Sequence, residues 1–243
     1  TGRRQLLLVS DQEIFQAGLT QYKEYISTSS VSSDQDAVAV VKRVGEKLAA
    51  ATEKYLIANG LKSELSNFAW EFNLVKNNEV NAFCMPGGKI VVYEGLLSVA
   101  QTEAELAAVV GHEIGHAVAK HSNERMSQQI MTQYGMAILS QALSQKSAAV
   151  KTVATSVFGL GAQVGLMLPY SRKHEYEADY MGIVFMEIAG YDSNSALEFW
   201  TKMAAGGGNT NDFLSTHPSD NKRIAQISKR IPEAQAIGKS MNQ

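Results

Sequence analysis

The sequence predicts a mostly helical α+β fold in which a small antiparallel sheet covers a helical core. Apolar residues recur at intervals of three and four over several long segments, as they do on the buried face of an α-helix. Short runs of alternating polarity lie between residues 68 and 93, which predicts strands in that region. With 243 residues, 45% of them hydrophobic, the chain has enough apolar material for one such core.

Two helices are expected before the strands. Residues 11–25 favour a first helix, and the serine-rich residues 27–33 favour a linker. A second helix is predicted over residues 35–59, where apolar residues recur helically at Val38, Val41, Val44, Leu48 and Leu56. We therefore divide the chain into an N-terminal arm or helix, residues 1–35, and a main domain, residues 36–243.

Three strands are expected next. Residues 68–75 alternate between apolar and polar side chains, as a half-buried strand does. Residues 81–85 and 89–93 flank Pro86-Gly87-Gly88, which is typical of a hairpin turn. An edge strand of such a sheet can pair with the backbone of an extended peptide, which gives affinity without strict choice of side chain.

The most informative pattern follows the strands, at His112-Glu113-Ile114-Gly115-His116. Residues four apart on a helix lie on the same face, so the two imidazoles can bind one metal ion. Glu113 lies one step around the helix, where it can reach a water at the metal. The alternative is a buried helix that carries two histidines by chance.

The flanking residues support a helix here. Thr102 and Glu105 have the spacing of a capping box, in which each side chain bonds the backbone N–H of the other residue. Gly111 and Gly115 allow two interpretations, close packing against a neighbour or room beside the metal. His121 is expected to end this helix on its solvated side.

A third metal ligand is needed, because catalytic zinc usually takes three protein ligands and keeps a fourth position for water. The chain contains one cysteine, Cys84, which excludes a cysteine-rich structural site. No third histidine lies six residues beyond His116. These two observations favour a carboxylate further along the chain.

Residues 171–179 provide the best carboxylates. Glu175 and Asp179 are four apart and share a helical face, so Glu175 could bind the metal while Asp179 accepts the outward N–H of His112 or His116. Glu177 lies between them, and spacing alone leaves it open as a competitor.

These motifs resemble the HtpX-like and CAAX-prenyl-protease-like zinc metallopeptidases of the gluzincin clan. The resemblance depends on six segments between about residue 68 and about residue 230, which are His112–His116, Glu175–Asp179, Thr216-His217-Pro218-Ser219, Arg223-Ile224, Asn81-Ala82-Phe83 and Gly87-Gly88-Lys89-Ile90. It implies a minigluzincin-like zincin fold, one zinc ion per chain, endopeptidase activity and protein quality control. It also assigns the third ligand to Glu175 and places Asn81, Ala82 and Phe83 against the substrate.

The resemblance further implies a cellular location and partners. Related soluble proteins carry an export signal, so we expect the bacterial cell envelope, in the periplasm or as an outer-membrane lipoprotein. A lipid anchor upstream of this chain would tether it to a membrane. The expected partners are protein or peptide substrates, such as unfolded or misassembled envelope proteins. The net charge of −2 argues against nucleic acid as a partner.

The residue types also indicate a mechanism. Zinc acidifies a water to a pKa of about 7 and polarises the scissile carbonyl, and Glu113 takes the proton and passes it to the leaving amine. His217 is the expected oxyanion donor, since the following Pro218 favours an extended loop position. Arg172 and Arg223 are candidate supports. The alternative to an active peptidase is a latent or chaperone-like zinc-binding protein with little proteolysis.

The remaining segments are mainly helical. The apolar residues 126–168 are expected to form a buried helix pair that roofs the cleft, with a membrane element as the alternative. A helix is predicted over residues 195–205. Ser219 or Asp220 is predicted to cap the last helix, which is expected to end near Ile231-Pro232.

Overall fold

The computed structural model describes residues 3–134, 171–205, 211–217 and 221–243. Most of these residues are helical, and the expected α+β class is confirmed. The elements are α1 (Asp11–Thr28), α2 (Gln35–Ala58), β1 (Glu71–Val75), β2 (Ala82–Met85), β3 (Lys89–Tyr93), α3 (Glu103–Val118), α4 (His121–Tyr134), α5 (Arg172–Ile188), α6 (Asn194–Ala204), α7 (Asn211–Thr216) and α8 (Asn221–Met241).

The sheet is mixed, which corrects the antiparallel sheet expected from the sequence. Its strand order is β1–β3–β2. The predicted hairpin joins β2 and β3 with Phe83 opposite Val91, but β1 runs parallel to β3 with Phe72 opposite Ile90. Alternating polarity shows which residues share a face of a strand, but it carries no information on the direction of the neighbouring strand. β2 lies at one end of the strand order, next to α3.

The sheet separates two apolar clusters. One face packs against α2 and α3 through residues that include Leu74, Ala82 and Ile90. The other face packs against α1 and α4, where Phe83 and Met85 join Ile14, Tyr22 and Met126 among other residues. Helix α1, part of the predicted N-terminal arm, therefore covers one side of the sheet. The boundary near residue 35 stays a prediction.

Helices α3 and α5 cross at glycine. A Cβ added to Gly115 would lie 2.7 Å from the carbonyl oxygen of Ala178, and one added to Gly182 would lie 2.9 Å from the backbone nitrogen of His112. These distances leave no room for side chains, so the two backbones touch. Close packing is therefore the role of Gly115. The crossing brings the histidines of α3 opposite the acidic residues of α5.

The last helix is longer than predicted. Helix α8 continues through Pro232 to Met241, although a proline within a helix costs about 3 kcal/mol. Ile231 and Ala234 are buried on either side of the proline, and Gly238 packs directly against Glu187 of α5. This packing against α5 sustains the helix beyond the point at which the local signal predicts its end.

Two expectations fall outside the described residues. Most of the predicted roof, residues 135–168, and the predicted capping residues Ser219 and Asp220 are not among them. Within the described ranges, no helix combines the length and apolar character needed to span a membrane.

Candidate metal centre

Helix α3 holds the metal-binding motif in its buried C-terminal half. The predicted capping box fixes its start, since Thr102 Oγ1 accepts from the Glu105 N–H at 3.1 Å and Glu105 Oε2 accepts from the Thr102 N–H at 3.2 Å. His112 and His116 are each 1% exposed. Both imidazoles therefore lie in a dry environment, facing α5.

Four buried side chains converge on one point, those of His112, His116, Glu175 and His217. One possible ligand atom from each lies within 4.8 Å of the others. His112 Nε2 lies 3.0 Å from His116 Nε2 and 3.1 Å from His217 Nδ1. Glu175 Oε1 lies 3.3 Å from both His116 Nε2 and His217 Nδ1. The structure thus brings together the three predicted ligands His112, His116 and Glu175, which we call the ligand group. It places His217 beside them. Glu177, the competitor for Glu175, is not a member of this group.

This donor set fits zinc. Nitrogen and oxygen donors at zinc distances, about 2.0–2.2 Å from a tetrahedral centre, lie about 3.3 Å from one another, which matches the separations above. Three buried carboxylates, those of Glu113, Glu175 and Asp179, interact electrostatically with one guanidinium, that of Arg223. Full ionisation would leave two negative charges, and a divalent cation would neutralise them.

Asp179 occupies the predicted outer position. Its Oδ1 lies 2.8 Å from His112 Nδ1, which orients the ring so that Nε2 faces the ligand group. Arg223 Nε donates to Asp179 Oδ2 at 2.6 Å, and its Nη1 lies 3.0 Å from Glu175 Oε2. Burial opposes the ionisation of Asp179, but the adjacent Arg223 lowers the pKa of this carboxyl below its usual range. Of the two predicted supports, Arg223 lies in the centre, whereas Arg172 is exposed at the start of α5.

Glu113 lies beside the ligand group without being a member of it. Its Oε1 is buried 3.4 Å from His217 Nε2 and has no hydrogen-bond partner among the residues that the structure describes. Burial raises the pKa of Glu113 to about 7, aided by the charge of Glu175 and opposed by His217. A proton acceptor works best with a pKa near the operating pH.

His217 was expected in an extended loop, and the structure places it at the end of a short helix. It directly follows α7, its backbone N–H donates to the Phe213 carbonyl at 2.9 Å, and its ring stacks on the Phe213 ring at 4.5 Å. This stacking directs the two ring nitrogens to different neighbours, Nδ1 to the ligand group and Nε2 to Glu113.

Asn81, Ala82 and Phe83 have buried side chains. Phe83 packs edge-on against Tyr25 of α1 at 5.3 Å, and Asn81 Oδ1 accepts from the Ala82 N–H at 2.9 Å. The Asn81 carbonyl accepts from the Tyr93 N–H, so the main-chain groups of Ala82 point away from β3. The predicted contact with substrate would therefore use the main chain of β2, and it stays a prediction.

His121 was missed as a member of the site. It begins α4 and is 0% exposed, with Nδ1 2.9 Å from His116 Nδ1. The chain reverses at Lys120, whose φ of 56° lies in the left-handed region. A lysine gives no sequence signal for this conformation, which glycine or asparagine usually adopts. The expectation of a solvated His121 at the end of α3 is wrong for this reason.

The geometry of the centre agrees with a comparison of the whole sequence. Residues 40–231 match the model of peptidase family M48. The chain belongs to peptidase family M48. This match confirms the predicted resemblance, the zinc cofactor and the class of enzyme, a zinc metallopeptidase.

Several curated proteins are similar to this M48 chain. The mitochondrial metalloendopeptidase OMA1 of Schizosaccharomyces pombe is 37% identical over 71% of the chain and 50% of that protein. The protein of the same name from Arabidopsis thaliana is 39% identical over 76% of the chain and 35% of that protein. Metalloprotease YcaL of Escherichia coli is 27% identical over 88% of the chain and 85% of that protein. The chain spans half or less of the two mitochondrial relatives.

The predicted bacterial envelope location is wrong by this comparison. The relatives at 37% and 39% identity are mitochondrial proteins of a fungus and a plant. The prediction was based on motifs at the predicted metal centre. Such motifs do not indicate where in a cell the protein is located.

Proposed function

We propose that this M48 chain is a zinc-dependent endopeptidase that hydrolyses peptide bonds of unfolded or misassembled proteins. The observation that carries the proposal is the buried carboxylate of Glu113, placed beside the predicted ligands His112, His116 and Glu175 without joining them. A site that only stabilises the fold has no use for a proton acceptor there. Glu113 thus favours an active peptidase over a latent or chaperone-like zinc-binding protein.

The side chains divide the chemistry between them. His112, His116 and Glu175 would hold zinc, which when bound supplies a Lewis acid for the scissile carbonyl and the attacking water. Glu113 takes the proton of that water and passes it to the leaving amine. His217 Nε2 lies on the side of Glu113 and donates to the oxyanion of the tetrahedral intermediate.

The surroundings of the centre favour an extended substrate. Main-chain carbonyls on the side of β2 away from β3 can accept hydrogen bonds from a peptide backbone. Folded proteins pair their own backbones, so unfolded segments are the substrates that fit. This selectivity suits protein quality control. Membrane tethering stays a prediction.

The test measures zinc content and proteolysis on the same preparation. We expect one zinc ion per chain and cleavage of casein, an unfolded substrate, while a tightly folded protein of similar size stays intact. A chelator should abolish cleavage, and added zinc should restore it. Zinc-loaded protein that binds casein without cleaving it would contradict the proposal and support the chaperone-like alternative.

A further inference from the structure

A second polar cluster lies behind His116, on the side away from the ligand group. His116 Nδ1 lies 2.9 Å from His121 Nδ1, and His121 Nε2 lies 3.0 Å from Glu177 Oε2. The Nε of Arg3 donates to the same oxygen of Glu177 at 2.8 Å. We call His116, His121, Glu177 and Arg3 the relay. It begins at a predicted metal ligand and ends in the N-terminal segment.

The carboxylate at one end of the relay and the metal at the other determine which nitrogen of each imidazole carries a hydrogen. Glu177, paired with a guanidinium, only accepts hydrogen bonds, so His121 Nε2 carries a hydrogen. A His116 that binds metal through Nε2 carries its hydrogen on Nδ1 and needs an acceptor there. His121 Nδ1 is that acceptor in the tautomer that Glu177 selects. Each hydrogen bond thus points outward, from the ligand to the carboxylate.

We propose that His121 and Glu177 are positioning residues for the metal ligand His116, held in place by Arg3. His112 has a direct carboxylate partner in Asp179, whereas His116 reaches its carboxylate through a second imidazole. The proposal rests on the proposed function only in that the ligand group binds zinc. In this proposal Glu177 supports the ligand His116 through His121. It does not bind the metal itself, which was the role considered for either Glu175 or Glu177.

The N-terminal segment holds the far end of the relay. Gln5 Nε2 donates to the Ala119 carbonyl at 2.6 Å, and the Leu8 N–H donates to Ser127 Oγ at 2.8 Å. Asn123 Nδ2 donates to the Val9 carbonyl at 2.9 Å. The segment therefore lies along the junction of α3 and α4, behind His116. It precedes the family match, which begins at residue 40, so residues outside the matched region contribute to the metal centre.

The chain offers a matched control for the relay. Arg3 binds two carboxylates, Glu177 through Nε and Glu124 through Nη1 at 2.8 Å. Their side chains are 9% and 7% exposed, so truncation removes an equally buried partner of Arg3 in both cases. Their imidazole partners differ, since Glu177 bonds His121 of the relay whereas Glu124 pairs with His174 Nε2 at 3.2 Å. The variants Glu177→Ala and Glu124→Ala thus separate an effect on His116 from a loss of packing around Arg3.

The experiment measures the zinc dissociation constant of the full chain by competition with a fluorescent chelator, together with the melting temperature of the zinc-free protein. We expect His121→Ala and Glu177→Ala to weaken zinc binding by about 10- to 100-fold. Glu177→Gln keeps an acceptor oxygen and should recover most of the loss. Glu124→Ala should lower the melting temperature as Glu177→Ala does, while it changes zinc affinity less than about threefold.

The outcomes are distinct. Equal zinc affinity in Glu177→Ala and wild type, or an equal loss in Glu124→Ala, would overturn the proposal. If His121→Ala does not fold, the zinc affinities of Glu177→Ala and Glu177→Gln still test whether Glu177 positions His116. Zinc binding is measured without substrate, so a chain that binds zinc in this pattern but cleaves nothing would refute the proposed function and leave the relay intact.

Discussion

Glu113 and the ligands beside it have separable roles at the scale of single residues. We expect Glu113→Gln to retain zinc, because the proposed ligands His112, His116 and Glu175 are unchanged. Cleavage should fall by about 10²–10⁴-fold, because an amide cannot accept the proton of the attacking water. Zinc content and the rate of casein cleavage, measured on the same sample, check both statements. Wild-type turnover in this variant would refute the role of Glu113.

His217 tests how the centre stabilises charge. Its Nε2 lies 3.4 Å from Glu113 Oε1, close to where an oxyanion would form. We expect His217→Ala to keep its zinc through the proposed ligands His112, His116 and Glu175 and to lower kcat by about 10²–10³-fold, the usual effect of losing one oxyanion donor. Steady-state kinetics with a peptide substrate separate kcat from KM. A change confined to KM would show that His217 binds substrate instead.

The start of α3 gives a prediction at the scale of one element. Burial opposes the ionisation of Glu105, but Lys202 and the N–H groups of Gln101 and Thr102 outweigh it and lower the pKa of this carboxyl. A carboxyl with a lowered pKa stabilises the fold above its unfolded pKa of about 4.3, and this stabilisation is lost as the pH falls through the folded pKa. We expect Glu105→Gln to lower the free energy of unfolding at pH 7 and to have a smaller effect below pH 4.

Urea unfolding at pH 7 and at pH 3 measures this difference. Thr102→Ala is the control, because it removes the other half of the same cap and its hydroxyl does not titrate. That variant should lose about 1 kcal/mol at both pH values. An equal effect of Glu105→Gln at the two pH values would contradict the assignment.

The crossing of α3 and α5 gives a second prediction for an element. Gly115→Ala improves helix propensity by about 1 kcal/mol, but its Cβ would lie 2.7 Å from the Ala178 carbonyl oxygen, so the helices must separate. We expect weaker zinc binding as well as lower stability, because the separation moves His116 away from Glu175. Gly238→Ala is the control, since its Cβ would contact Glu187 at 2.6 Å on the other side of α5. It should lose stability and keep its zinc affinity.

At the scale of the whole molecule, zinc should couple to folding. The proposed ligands come from two helices, α3 and α5, that meet only in the folded chain, so we expect zinc to bind the folded chain and not the unfolded one. Zinc at 100 times its dissociation constant adds about 2.7 kcal/mol to the stability of the folded state. We expect a chelator to lower the melting temperature by about 5–10 °C. Glu175→Ala should melt at the same temperature with and without the chelator, and a chelator shift equal to that of wild type would argue against Glu175 as a ligand.

Local patterns predicted the elements whose signals lie within a few residues. The start of α2 at Gln35, the capping box at Thr102 and the hairpin at Gly87-Gly88 are examples, since each depends on neighbours in sequence. The parallel direction of β1 and the passage of α8 through Pro232 were not predictable in this way. Both depend on packing against segments distant in sequence, which can override a local preference.

The same distinction applies to the metal centre. His112 and His116, like Glu175 and Asp179, are four residues apart on one helix, so the spacing itself placed each pair on one face. The relay was not predictable, because Arg3 and Glu177 are 174 residues apart in sequence and meet only in the folded chain.

The glycine contact between α3 and α5 also limits how this centre could be transplanted. Ordinary helix pairs are separated by about 8–10 Å, a gap that their side chains set. A protein engineer who grafts the two ligand motifs onto such a pair would place the imidazoles and the carboxylate too far apart to share one ion. The small residues at the contact, Gly111 and Gly115 of α3 with Ala178 and Gly182 of α5, would have to move with the ligands. The two helices would therefore have to be transferred together. A search for scaffolds should begin with helix pairs whose backbones are in direct contact.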